Sequence, residues 1–198
     1  MAKQDRAVRT RQELIRSAAT AFDRHGYALS SLTEISRGAG VSNGALHFHF
    51  SSKLALGAAV EASAAQVLEG VVALPGREAP DPLPHLVETS HALARRLADD
   101  VVLRAGFGLA ADATWMEDVT LWRTWRGWVH ATLARARREG SLSPDVPIED
   151  AVSAVTAVVV GAQALGRVDV EWSPQYALAQ FWNLMLPRMS AMVPAGRR

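Results

Sequence analysis

Between Ala7 and His25 the apolar positions Leu14, Ile15, Ala18, Ala19 and Phe22 recur every three or four residues, the spacing of a helix with one buried stripe. Gly26 closes that pattern, as a glycine beyond a helix C-terminus should. Ser31 and Glu34 form a Ser-x-x-Glu capping box that opens a second, short helix to about Gly38. The run Gly38-Ala39-Gly40-Val41 then reads as a tight turn. Ser42 is placed to cap a third helix, Asn43 to His49. A longer helix is predicted from near Ser52 to about Leu74.

Pro75, Pro80, Pro82 and Pro84 mark a loop, followed by helices over His85–Asp99 and roughly Val101–Asp112. Met116 to Glu139 form a long helix ended by Gly140, with Arg135, Arg137 and Arg138 complementing its C-terminal dipole. Beyond Pro144 and Pro147 comes a nearly all-apolar helix, Ile148 to Leu165. The last helix starts near Pro174 and reaches about Leu186, where Pro187 should stop or kink it. No stretch alternates as a strand does, so the fold class is all-α.

Composition narrows the chemistry. The 198 residues include no cysteine, which removes disulfides, thiolate catalysis and Cys-based zinc sites together. The basic N-terminus is not followed by an apolar run and so reads as no signal peptide. The apolar stretch Ala151–Leu165 is broken by Ser153, Thr156 and Gln163 and is shorter than the roughly 20 residues of a membrane span. A cytoplasmic location without a membrane partner is the expectation. Net charge is only +1, but residues 1–53 hold eight Lys/Arg against four Asp/Glu, which makes them +4 and the remainder −3. A basic module on an acidic body suits a polyanionic partner.

Two short capped helices joined by a glycine turn, with another helix packed beneath, are a helix-turn-helix arrangement. The stretch from Ser31 to Leu56 resembles the TetR family of transcriptional regulators. Ser31, Ile35, the Ala39-Gly40-Val41-Ser42 turn, Gly44, Leu46, Phe50 and Lys53 carry the resemblance. Within the family, Gly44-Ala45-Leu46-His47-Phe48-His49-Phe50 looks most like the γ-butyrolactone-receptor branch. The resemblance implies a DNA-binding domain over 1–53 and a ligand-binding and dimerisation bundle over 54–198. The implied function is repression at a pseudo-palindromic operator, relieved by a small apolar ligand, in control of antibiotic or secondary-metabolite genes.

On this reading Ile35, Ala39, Val41, Leu46 and Phe50 pin the two short helices against Phe22 and Leu14. Ser42, Asn43, Gly44 and Ala45 open the recognition helix, where side chains reach base edges and free N–H groups meet phosphate. His47 lies a turn further on, toward the DNA backbone. Arg9, Thr10, Arg11, Ser31 and Lys53 complete the expected DNA-binding set. A lysine is usual in the family where Asn43 stands and a tyrosine where His47 stands. The first change is expected to weaken nonspecific phosphate binding, and the second to make binding pH-dependent through His47. His47 and His49 are two apart on a helix and point away from each other, so no metal is expected.

All six tryptophans fall beyond residue 75, and Trp122, Trp125 and Val129 share a helix face continued by Thr132 and Leu133. Aromatics at helical spacing can be core, or they can line an apolar pocket. In the receptor branch a tryptophan on this helix lies over the ligand ring, and Trp125 is the matching position. Trp128, Thr156 and Gln163 are the other ligand candidates, Gln163 being an isolated polar group in an apolar stretch. Val158 stands where relatives often carry a small hydroxyl residue, so a γ-butyrolactone, a related furan and an antibiotic or biosynthetic intermediate all remain open as ligands. The helix 148–165 is apolar on nearly all sides and, with Tyr176, Phe181, Trp182 and Met185, suggests a four-helix homodimer interface. An enzyme is not expected: no HExxH, phosphate loop or nucleophile–base pair is present, and no cofactor is implied. A helical protein-interaction adaptor is the remaining rival, and it would bind no DNA.

Overall fold

In the computed structural model the described residues are 2–73, 81–112, 114–115, 120–169 and 171–191. Among them the chain forms nine helices and no strand: α1 (Ala2–Leu29), α2 (Leu32–Gly38), α3 (Asn43–His49), α4 (Lys53–Val72), α5 (Pro82–Asp99), α6 (Val101–Leu109), α7 (Thr120–Glu139), α8 (Ile148–Val168) and α9 (Pro174–Met189). They fall into two compact units. One holds residues 1–69 and 97–122, the other 70–96 and 123–198.

The first unit is built on the stripe expected of α1. Leu14, Ile15, Ala18, Ala19 and Phe22 are all buried, in one cluster with Ile35, Leu46 and Phe50. Ala39 and Val41 pack on its margin. Helical hydrogen bonding continues past Gly26 to Leu29, but Gly26 itself breaks the helix with φ 74° and ψ 168°. A side chain at that φ would be strained, so glycine is what lets α1 turn there. In α4, Leu56, Val60, Ala64 and Leu68 are buried at strict four-residue spacing. At Gly106 of α6 an added Cβ would collide with the Ala64 methyl. Those two small residues therefore set how closely α6 approaches α4.

In the second unit α8 and α9 pack together. The α7–α8 loop is pinned by Arg137, whose Nη2 donates to the carbonyls of Ser143 (3.1 Å) and Val146 (2.5 Å). Arg135 pairs with Glu139 one turn on, at 2.6 Å.

Several expected boundaries need correction. Pro82 and Pro84 were expected in a loop but lie in the first turn of α5, where the N–H a proline lacks has no helical partner anyway. Pro187 neither stops nor ends α9, which runs on to Met189. It falls within the last turn, and Ser190 N–H still reaches the Leu186 carbonyl at 2.9 Å. Met116 and the loop around Pro75 and Pro80 lie outside the described residues. α8 spans 21 residues, not the shorter run that excluded a membrane span. By length and composition both α4 and α8 could cross a membrane. Each instead buries one face within its unit, as Val152, Val155 and Val159 show for α8.

Candidate nucleic-acid interface and sensor residues

The two short helices are held by their caps. Ser31 Oγ accepts from Glu34 N and Ser42 Oγ accepts from Ala45 N, both at 3.1 Å. Each hydroxyl is exposed and keeps its own proton to donate outward. Gly40, at φ 68°, makes the turn between α2 and α3. Val41 N donates back to the Ser36 carbonyl at 2.9 Å and closes it.

Asn43 plays a part the sequence did not reveal. Its Oδ1 accepts from Ser36 Oγ at 2.5 Å, and its Nδ2 lies 3.4 Å from Thr33 Oγ1. The amide thus ties α3 to α2, and only its remaining N–H is left to point outward. Lys53 is likewise engaged. Its Nζ donates to the Ala28 carbonyl at 3.1 Å and sits 4.6 Å above the Tyr27 ring. Burial lowers its pKa, partly offset by the charge of Asp112. Two of the three ammonium protons remain for an outside acceptor.

Arg9 and Arg11 are exposed on α1, and Arg11 packs its guanidinium 5.0 Å from the Phe50 ring centroid. Arg9 and Thr10 line a groove of about 580 Å³ with Arg6, Ala39 and Val41. Gly44 and His47 are exposed and Ala45 half-buried. The sequence reading overlooked Phe48, which is 81% exposed. A helical wheel centred on buried Leu46 would have found it.

The first unit also contains a clasp between chain segments 85 residues apart. Asp112 Oδ2 accepts from Tyr27 N at 3.1 Å, while Oδ1 accepts from the Thr114 N–H and hydroxyl at 2.8 and 2.6 Å. Trp115 packs edge-on against Tyr27 and donates its Nε1–H to Glu61 at 3.2 Å. Its ring fills the space that a Cβ at Gly57 would need. The Thr114 hydroxyl, then the Thr114 and Tyr27 amides and the Lys53 charge, hold the Asp112 pKa below its ordinary 3.8. A depressed carboxylate pKa adds stability above the unfolded value, and that stability is lost as pH falls through the folded one. Asp112→Asn is therefore expected to melt earlier than the wild type by a constant margin above about pH 5, and the margin should shrink below about pH 4. Melting temperatures across that range check it; a margin that never changes with pH would rule the clasp's charge out.

In the second unit Trp125 is fully buried and stacks on half-buried Trp128, centroids 5.3 Å apart and planes 21° apart. His85 meets the Trp128 ring edge-on at 5.7 Å. Among the described residues neither Trp125 Nε1 nor Thr156 Oγ1 has a hydrogen-bond partner, although both are buried. An unpaired buried donor costs about 1–3 kcal/mol, which a ligand acceptor would relieve. Gln163 is only partly available, since its Nε2 lies 3.3 Å from the Ala94 carbonyl. Trp182, expected at a subunit interface, is 3% exposed within its own unit and cannot serve there. Among the described residues Val160, Leu165, Tyr176 and Leu184 are the large exposed apolar side chains of α8 and α9. Phe181 and Met185 are half-buried.

Capped α2 and α3, packed on α1 through a shared core, define a helix-turn-helix protein. Residues 14–60 match the family of bacterial regulatory proteins described as the tetR family. The A-factor receptor protein of Streptomyces griseus is 28% identical over 195 residues, covering 96% of this chain and 67% of that protein. The structure of CprB from Streptomyces coelicolor in complex with its operator sequence superposes with a TM-score of 0.79 at 30% identity, covering 94% of this chain and 91% of CprB. A γ-butyrolactone receptor described as ArpA-like superposes with a TM-score of 0.80 at 28% identity, over 94% and 91% of the two chains. The chain belongs to the TetR family, as a regulator similar to the γ-butyrolactone receptors.

Proposed function

We propose that the chain is a cytoplasmic, homodimeric transcriptional repressor that occupies a pseudo-palindromic operator and leaves it when a small apolar ligand binds. Residues 1–53 form the reading head and 54–198 the ligand-binding and dimerisation part. The observation that carries this reading is the doubly capped α2–α3 pair, together with 30% identity to a protein solved on its operator.

Contacts to DNA sort by chemistry. Arg9, Arg11 and Lys53 supply cations for phosphate, while Thr10, Ser31 and Ser42 supply hydroxyl donors. Gly44 and Ala45 let the start of α3 approach the bases, and the free amide N–H of Asn43 and the ring of His47 supply polar contacts there. In a dimer two copies of α3 enter successive major grooves roughly 34–36 Å apart. The exposed residues Val160, Leu165, Tyr176 and Leu184 are the apolar surface that a second copy would cover.

The ligand is a γ-butyrolactone or a related furan that lies against Trp125 and Trp128. A carbonyl acceptor would satisfy the Trp125 indole N–H, and Thr156 would serve a second polar group. Gln163 would orient the ligand through its remaining amide groups. The regulated genes are those of antibiotic or secondary-metabolite synthesis. Release requires only that the ligand prefer the dimer whose heads are wrongly spaced for DNA. Fluorescence anisotropy of the flanking-gene operator, titrated with a synthetic γ-butyrolactone and with the organism's own antibiotics, tests the scheme. Release by the lactone is expected. Release only by an antibiotic assigns the sensor to that chemistry, and no release by either ends the repressor–ligand reading.

A further inference from the structure

We propose that Phe48 reads a thymine methyl group in the major groove and so sets operator sequence preference. The inference rests on the operator-binding reading above and adds to it the group that is recognised. In α3 the buried residue Leu46 fixes the inward direction, and the C-cap residue Phe50 is buried just beyond it. At 3.6 residues per turn, Gly44 lies about 160° and Phe48 about 200° around from Leu46. These two therefore form the outermost line of the recognition helix, one turn apart. A Cβ at Gly44 would meet only the Ser42 hydroxyl, at 3.8 Å. The notch beside the ring is open, and a base pair can come close to the backbone there.

Single exposed apolar residues are common on protein surfaces, and Leu29 is another in this chain. Phe48 differs in its position and its support. It stands at the crest of the helix that faces DNA, and its ring meets the His49 ring edge-on at 5.3 Å, which restrains it. It carries no donor or acceptor, so phosphate cannot be its target. What the major groove offers an apolar side chain is the C5 methyl of thymine. The polar alternative is weakened because the Asn43 amide already bonds Ser36 and Thr33. Base discrimination at the outermost line of α3 thus falls to a hydrophobic contact.

The test uses a duplex selected from a random-sequence pool by the full-length protein. Each thymine in the two half-sites is replaced by deoxyuridine, which removes the methyl and keeps the base pair. One position is expected to lower wild-type affinity roughly four-fold per half-site, the amount one methyl leaving water contributes. Phe48→Ala should bind the parent duplex more weakly and lose all discrimination between thymine and uracil at that position. Because the side chain is exposed, the variant should keep the wild-type melting temperature, so failure to fold is excluded directly. Equal discrimination by Phe48→Ala, or none by the wild type, overturns the assignment. Failure to select any duplex sinks the operator-binding reading itself, a different result.

Discussion

Leu46→Ala is expected to cost about 3 kcal/mol of stability in the first compact unit and to lower operator affinity by more than any exposed substitution in α3. The side chain is fully buried in the cluster that joins α1 to the two short helices. A helix of seven residues has no independent stability, because nucleation outweighs so few hydrogen bonds. The Ser42 cap, the Asn43 bonds to α2 and the buried Leu46 and Phe50 hold it, and Leu46 is its one fully buried side chain. Removing three carbons from the centre of that anchor leaves a cavity that the packed Ile35 and Phe22 cannot close. Denaturant unfolding and operator binding together check the prediction. Leu46→Met keeps volume and should cost less than about 1.5 kcal/mol. If alanine and methionine behave alike, α3 is not anchored through this position.

The head was legible in the sequence because its determinants are local. Ser31 and Ser42 bond amides three residues on, and the stripe of α1 repeats every three or four residues, so periodicity and capping rules reach them. The family motif lies in the same short stretch. What escaped was set by contacts distant in sequence. Nothing near Tyr27 announces that Asp112 accepts its amide, and nothing near Lys53 announces the Ala28 carbonyl. The Asn43 amide was read as facing DNA, yet two hydroxyls of the preceding helix take most of it. Trp182 groups by sequence with the apolar residues of the last helix beside the apolar helix 148–165, whereas packing turns it inward. The prolines of α5 and α9 mislead for another reason. Pro82 and Pro84 sit in the first turn of α5, where no helical bond is lost, whereas Pro187 lies inside α9 and the helix continues past it to Met189.

Trp125 separates the structural and sensory roles of the second unit. Trp125→Ala should cost about 3–5 kcal/mol, since the indole is fully buried and stacked on Trp128. Such a loss would also abolish any ligand response, so alanine cannot tell the two roles apart. Trp125→Phe can. It keeps an aromatic face for Trp128 and removes the Nε1–H, which has no partner among the described residues. Removing an unpaired donor strands no acceptor and relieves its desolvation cost, which offsets the packing lost with the smaller ring, so the free protein should change by no more than about 1 kcal/mol. Operator affinity without ligand should therefore stay at the wild-type level. The ligand concentration for half-release should rise by about ten-fold, the equivalent of one hydrogen bond to a carbonyl in a buried site. Melting curves and operator release measured on the same preparation decide the matter. Unchanged release would make Trp125 a core residue and move the ligand elsewhere in the bundle. Loss of operator binding without ligand would show that the indole shapes the free dimer instead of sensing what enters it.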